Sequence, residues 1–177
     1  MQNHITTSIV LYGKIDQNYS NNWSAFYNNA KEFTTKLGFS PTHIGIFGQS
    51  FKTGKIKDIN KIEKKLGKSL EKKEETLAIS IYSLPENFSS AAFDYEVYIS
   101  LENLDDNDYM LIATFKDEIY NLVDEREFIE QFSKYIKFEA GQIFKLSNLE
   151  SPQIYASKAN SFQAFKTLEI LKDFSLK

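Results

Sequence analysis

The chain has 177 residues, a formal net charge of −3, 42% hydrophobic and 15% aromatic residues, and no cysteine. That composition suffices for one domain spanning 1–177 with a dense core, and it excludes global disorder. The missing cysteine excludes disulfides, thiol catalysis, iron–sulfur clusters and zinc–thiolate sites, and Arg126 is the only arginine available for bidentate phosphate or guanine contacts.

Ile5 to Leu11 is a β-branched, apolar run that predicts a first strand. Ser20, Asn21 or Asn22 then caps a helix whose inner face is Trp23, Phe26, Ala30, Phe33 and Leu37. Gly38 sits at the helix C-cap, Pro41 lies just beyond, and Thr42 to Phe47 predicts a second strand. This order favours a parallel β-α-β unit with a right-handed crossover. The spacing of Ile59, Ile62, Leu66 and Leu70 predicts a second helix, with Gly67 as a possible early stop.

Thr76 to Ser83 alternates as a strand, and Ala91 to Glu102 gives the clearest strand pattern. In the latter, Phe93, Tyr95, Val97, Ile99 and Leu101 share the core face, while Asp94, Glu96, Tyr98, Ser100 and Glu102 face water. Tyr109 to Phe115 is apolar on both faces and is expected to be central, so 76–120 reads as an antiparallel meander. Asp124 and Glu127 form a capping-box pattern for a helix with Phe128, Ile129, Phe132, Tyr135 and Ile136 inward, ended by Gly141. Short strands near Ile143–Leu146 and Gln153–Ala156 follow, then a last helix capped by Ser161 with Phe162, Phe165, Leu168 and Leu171 inward. The expected fold is α+β: one domain, a mixed but mostly antiparallel sheet, an N-terminal β-α-β unit, and helices packed on one face.

Charge is divided along the chain. Between Leu101 and Glu130 ten carboxylates face only Lys116 and Arg126, whereas between Phe51 and Glu75 nine lysines face five carboxylates. The basic segment contains Gly48 to Lys55, which imitates a phosphate-binding loop. Five residues separate its glycines and Ile56 follows the lysine, so the motif fails at both spacing and metal-binding hydroxyl. A glycine turn is the expectation, and Glu71 and Glu75 are expected to pair with nearby lysines on a solvated helix.

Catalytic patterns are scarce. His4 and His43 stand apart, and neither a Gly-x-Ser-x-Gly elbow nor a His-Glu-x-x-His element is present. The remaining acidic residues provide the candidate site. Asp94, Glu96, Glu102, Asp105, Asp106 and Asp108, beside Tyr98 and Tyr109, are expected to form one solvent-facing patch suited to a cationic protein. No catalytic residue, metal ligand or cofactor is assigned.

A single α+β domain with no catalytic motif, no cysteine and an acidic face around Asp94 to Asp108 resembles the small cytoplasmic immunity proteins of bacterial polymorphic-toxin and type VI secretion systems. The resemblance is one of general character over the whole chain and carries over no individual residue. It implies a non-catalytic inhibitor that occludes a cognate toxin's active site, the acidic face meeting a basic cleft. Two alternatives are a small enzyme using a carboxylate or histidine base (Asp94, Glu96 or His43) and a self-associating adaptor. The N-terminus lacks the basic and apolar regions of a signal peptide, and no apolar run approaches the roughly 20 residues that span a bilayer. The expectation is a cytoplasmic protein that binds neither membrane nor nucleic acid.

Overall fold

The computed structural model describes residues 3–15, 22–105, 107–159 and 165–175. Eight strands form one sheet: β1 (Ile5–Lys14), β2 (His43–Gly48), β3 (Lys57–Asp58), β4 (Thr76–Ser83), β5 (Val97–Asp105), β6 (Asp108–Lys116), β7 (Lys137–Ser147) and β8 (Glu169–Ser175). Their spatial order is β3-β2-β4-β5-β6-β1-β7-β8. Five helices accompany them: α1 (Asn22–Lys36), α2 (Ile59–Glu71), α3 (Asp117–Tyr120), α4 (Glu125–Phe132) and α5 (Pro152–Ser157). The α+β class holds, and β4, β5 and β6 are the expected meander, with β6 buried on both faces.

The expected parallel β-α-β pairing does not form. Every pairing is antiparallel, so the sheet is not mixed. β1 and β2 run in the same direction but are separated by β4, β5 and β6, and α1 crosses the sheet between them. Sequence neighbours pair most often, but here β6 and β7 both outcompete β2 for the edges of β1.

One face packs against α1, α2 and α4. Ile9, Ile79, Ile99 and Phe115 meet Phe26, Phe33, Leu66 and Phe128 there, with Phe128 and Phe132 stacked at 4.5 Å. α1 ends as its glycine demands: Gly38 takes φ +89°, and Phe39 N–H donates to Thr34 C=O while Gly38 N–H donates to Thr35 C=O. α2 begins at Asp58, whose carboxylate accepts from the Asn60 amide, and it runs through Gly67 because the Ile62–Leu66–Leu70 stripe is held against the core. α4 starts as predicted, with Asp124 accepting from the Glu127 amide.

The helices do not all lie on one face. The opposite face carries Val10, Tyr98, Met110, Ile112 and Phe144 under α5 and the irregular segment 84–96. That segment also corrects the strand predicted over 91–102. Turns from Phe93 and Asp94 amides to the Ser90 carbonyl keep it out of the sheet until Val97. Its roof explains why the polar face of β5 is dry: Tyr98 is 2% exposed and Ser100 is fully buried.

The C-terminal third departs furthest from expectation. α4 ends at Phe132 with a 3-10 turn over Ser133–Tyr135, and Gly141 lies inside β7. A Cβ there would come within 2.4 Å of the Phe174 ring, so glycine serves close strand packing rather than helix termination. Gln153–Ala156 is helical, with Pro152 in its first turn. Of the predicted last helix, Ser161 and Phe162 lie outside the described residues. Glu169–Ser175 is strand, and Leu171 is exposed. Pairing with the open side of β7 overrides the helical spacing there.

Candidate functional site

The predicted acidic residues do not form one patch. Asp94 and Glu96 precede β5, whereas Asp105 and Asp108 close its far end, a separation of roughly 27 Å along a nine-residue strand. Asp94 is tied into its turn, accepting from the Ser89 amide, the Ser89 hydroxyl and the Ser90 amide at 2.7–2.8 Å. The Ser89 hydroxyl and then the Ser90 amide hold its carboxyl below the usual range. Glu96 lies 3.8 Å from the Lys116 ammonium. His43 shares this end, with Nδ1 3.0 Å from the Thr42 hydroxyl and its ring against Phe88.

At the other end, Asp105 and Asp108 are exposed and paired across the β5–β6 hairpin; Asp106 lies outside the described residues. Tyr109 turns its ring towards Trp23 at 6.3 Å, on the face of the large helices.

Tyr98 and Glu102 remain, and they belong to a cavity. Because β5 alternates, Tyr98, Ser100 and Glu102 project to the same face. Glu102 Oε1 accepts from the Tyr98 hydroxyl at 3.0 Å and the Ser100 hydroxyl at 2.6 Å. Gln153 Nε2, from α5, donates to both carboxylate oxygens at 2.8 and 2.9 Å. Ser100 also meets Ser80 across the β4–β5 pair at 2.8 Å. No cation pairs with Glu102 among the described residues.

This cavity, about 490 Å³, opens beyond the reach of α5, over β2 and β4. Its walls include Phe47, Ile56, Leu77, Tyr82 and Ala92, and Phe47 is 45% exposed. Burial pushes Tyr82, Tyr95 and Tyr98 upward, and the Glu102 charge adds to the effect at Tyr82 and Tyr98. These phenols stay neutral, and Tyr98 serves as a donor to the carboxylate. Glu102 Oε1 is crowded by three donors, while Oε2 holds only the Gln153 amide, so one oxygen is free to accept from an incoming cation. An apolar wall around a carboxylate suits the stem and charged head of a lysine or arginine.

Gln153 and the Phe47–Ile56–Leu77 wall were not identified from the sequence. Gln153 was assigned to a strand, although Pro152 at a helix first-turn position was the available signal. The lysine-rich segment also differs from expectation. Among the described residues, neither Glu71 nor Glu75 pairs with a lysine; Glu63 pairs with Lys31 of α1 and accepts from the Tyr27 hydroxyl at 2.7 Å. The glycine turn itself is as expected, with Gly54 at φ +59°.

No described group of three or more histidine, aspartate or glutamate side chains has the arrangement of a metal site. No helix among the described residues is long and apolar enough to cross a membrane.

No protein-family model matches the chain, and no curated protein matches it in sequence. Among solved structures, the chain is similar to the Pseudomonas aeruginosa T6SS protein PA0821, with a TM-score of 0.56 and 12% identity. The similarity covers 90% of this chain and 45% of that one, so this chain spans less than half the length of its structural neighbour. At that identity the likeness is one of fold.

Proposed function

We propose that this chain is a non-catalytic protein-binding module linked to type VI secretion, acting as a cytoplasmic immunity protein that occludes the active site of a cognate toxin. The observation that carries the reading is the Glu102 cavity: a fixed carboxylate with no cation paired to it among the described residues, recessed in an open apolar hollow. It is shaped to accept a basic side chain from a partner. Asp105 and Asp108 at the nearby strand ends add negative charge that steers a basic cleft towards it. The shared fold with a protein described as belonging to a type VI secretion system supports the biological setting.

Binding of the product of the adjoining gene, measured by calorimetry and by rescue of growth on co-expression, tests the role. Glu102→Gln keeps the side-chain shape and removes the charge. Its expected effect is roughly tenfold weaker binding, the loss of one charge-assisted contact, with unchanged circular dichroism. Unaltered affinity would remove the cavity from the interface; absence of both binding and rescue would sink the immunity role.

A second reading is favoured by one observation. Among the described residues β8 is the last strand of the sheet, and Ile170 and Leu171 on it are 49% and 44% exposed. An edge of this kind can pair with another chain, making the protein a self-associating subunit. A sedimentation coefficient that rises with concentration, and returns to the monomer value on Leu171→Lys substitution, would favour this reading.

A further inference from the structure

On the α2 side of the sheet, the segment 49–56 lines a second hollow of about 300 Å³, which adjoins the Glu102 cavity at Ile46. The segment is anchored at its start, and Lys57 just after it pairs with Ile44 of β2. Gly48 and Phe51 exchange backbone hydrogen bonds at 3.2 and 3.0 Å, and the Gln49 amide donates to the Glu75 carbonyl at 2.8 Å. Lys65, projecting from α2, donates to the Ser50 carbonyl at 2.8 Å and sits 4.6 Å from the centre of the Phe51 ring.

Its lining divides into two kinds. Ile44, Ile46, Phe51 and Ile62 supply apolar walls. Lys52, Lys55, Lys57 and Lys65 supply charge, with the Thr53 hydroxyl and the Gln49 side-chain NH2 as neutral donors. No carboxylate lines it, and none of these four lysines forms an ion pair among the described residues. Glu74, near its rim, is engaged by the Ser50 and Ser69 hydroxyls. Four like charges around one concavity repel one another and concentrate positive potential there; a dianion relieves both.

We infer that this hollow binds a small phosphorylated ligand, the phosphate held by Lys52, Lys55 and Lys57 and the remainder of the molecule lying on Phe51 and the isoleucines. The volume is at the lower end of the roughly 300–1,000 Å³ typical of small-molecule sites, which suits a mononucleotide-sized ligand and not a polymer. Recognition differs from that of a phosphate-binding loop. Asp58 already accepts from the first-turn Asn60 amide of α2, so side-chain ammonium groups rather than helix amides meet the anion.

Amide NMR titration of the full chain with AMP, inorganic phosphate and adenosine tests the inference. Saturable shifts confined to the residues that line the hollow are expected with AMP and with phosphate, and at most weak shifts with adenosine. The exposed pair Lys55→Ala/Lys57→Ala should weaken AMP binding by roughly tenfold or more, the loss of two charged contacts. Lys61→Ala, on α2 but outside the lining, should leave it unchanged. Absence of saturable shifts, or equal affinity in the double variant, overturns the site. Binding to phosphatidylglycerol vesicles without any response to AMP also overturns it, in favour of a membrane surface. Glu102→Gln, which tests the Glu102 cavity, should leave AMP binding unchanged, although Ile46 lines both hollows.

Discussion

Glu102 sits in an environment set by the residues two and four positions before it. Ser100 and Tyr98 reach its carboxylate only because a strand returns every second side chain to the same face. Tyr98→Phe removes one of these donors without opening a large space, and is expected to cost about 1–2 kcal/mol in chemical denaturation. The buried tyrosines also define a basic limit. Tyr82, Tyr95 and Tyr98 are raised by burial, so their protons stay on in the folded chain after the unfolded chain has begun to lose them near pH 10. Their stabilisation is complete below that value and is lost as pH rises from it towards the raised folded values. The denaturation midpoint should therefore fall above about pH 10, less steeply in Tyr98→Phe, which has one fewer such group. The sequence marked Tyr98 and Glu102 as worth attention, but for exposure. Their burial depends on segment 84–96 and α5, whose placement no local pattern encodes.

Among the elements, those whose period, cap and burial agree were legible. α1 has an apolar stripe and Gly38; α4 has Asp124; β6 has unbroken apolar character. α2 tested two conflicting local signals, and packing prevailed over Gly67. The actual stop is Lys73, at φ 54°, with the Glu74 amide donating to the Ser69 carbonyl and the Lys73 amide to the Leu70 carbonyl. This is the same closing arrangement that Gly38 completes in α1, here made by a residue that resists the left-handed conformation. Gly67→Ala, where a Cβ meets nothing within 4 Å, should raise stability by about 1 kcal/mol. Lys73→Gly should add about 0.5–1 kcal/mol by relieving the backbone. Urea midpoints of the two variants and their combination check both values. Tertiary pairing decides two of the misread segments: β8 has helical spacing but borrows the edge of β7, and Gly141 is fixed by Phe174 from another strand. At Gln153–Ala156 the local signal, Pro152 in a helix first turn, runs against the expected strand.

For the whole molecule, sequence alone supported the α+β class and the central meander, but not the strand order. Local periodicity carries no information about which distant strand will lie beside β1. Its two partners are β6 and β7, with Thr6 opposite Lys116 on one side and Ile5 opposite Ser147 on the other. Pairings of such separation close large loops before they gain contacts, so refolding is expected on the millisecond-to-second scale in stopped-flow fluorescence of Trp23.

The central position of β1 also has a consequence for synthesis. The strand leaves the ribosome before either neighbour: one is made only when residues 108–116 have appeared and the other only with 137–147. For most of translation, Ile9, Val10 and Leu11 have no sheet to enter, and the nascent chain must keep this apolar stretch from other strands. Full pairing of β1 is therefore tied to the arrival of β7, and a chain stalled before residue 137 leaves one side of this buried strand unpaired.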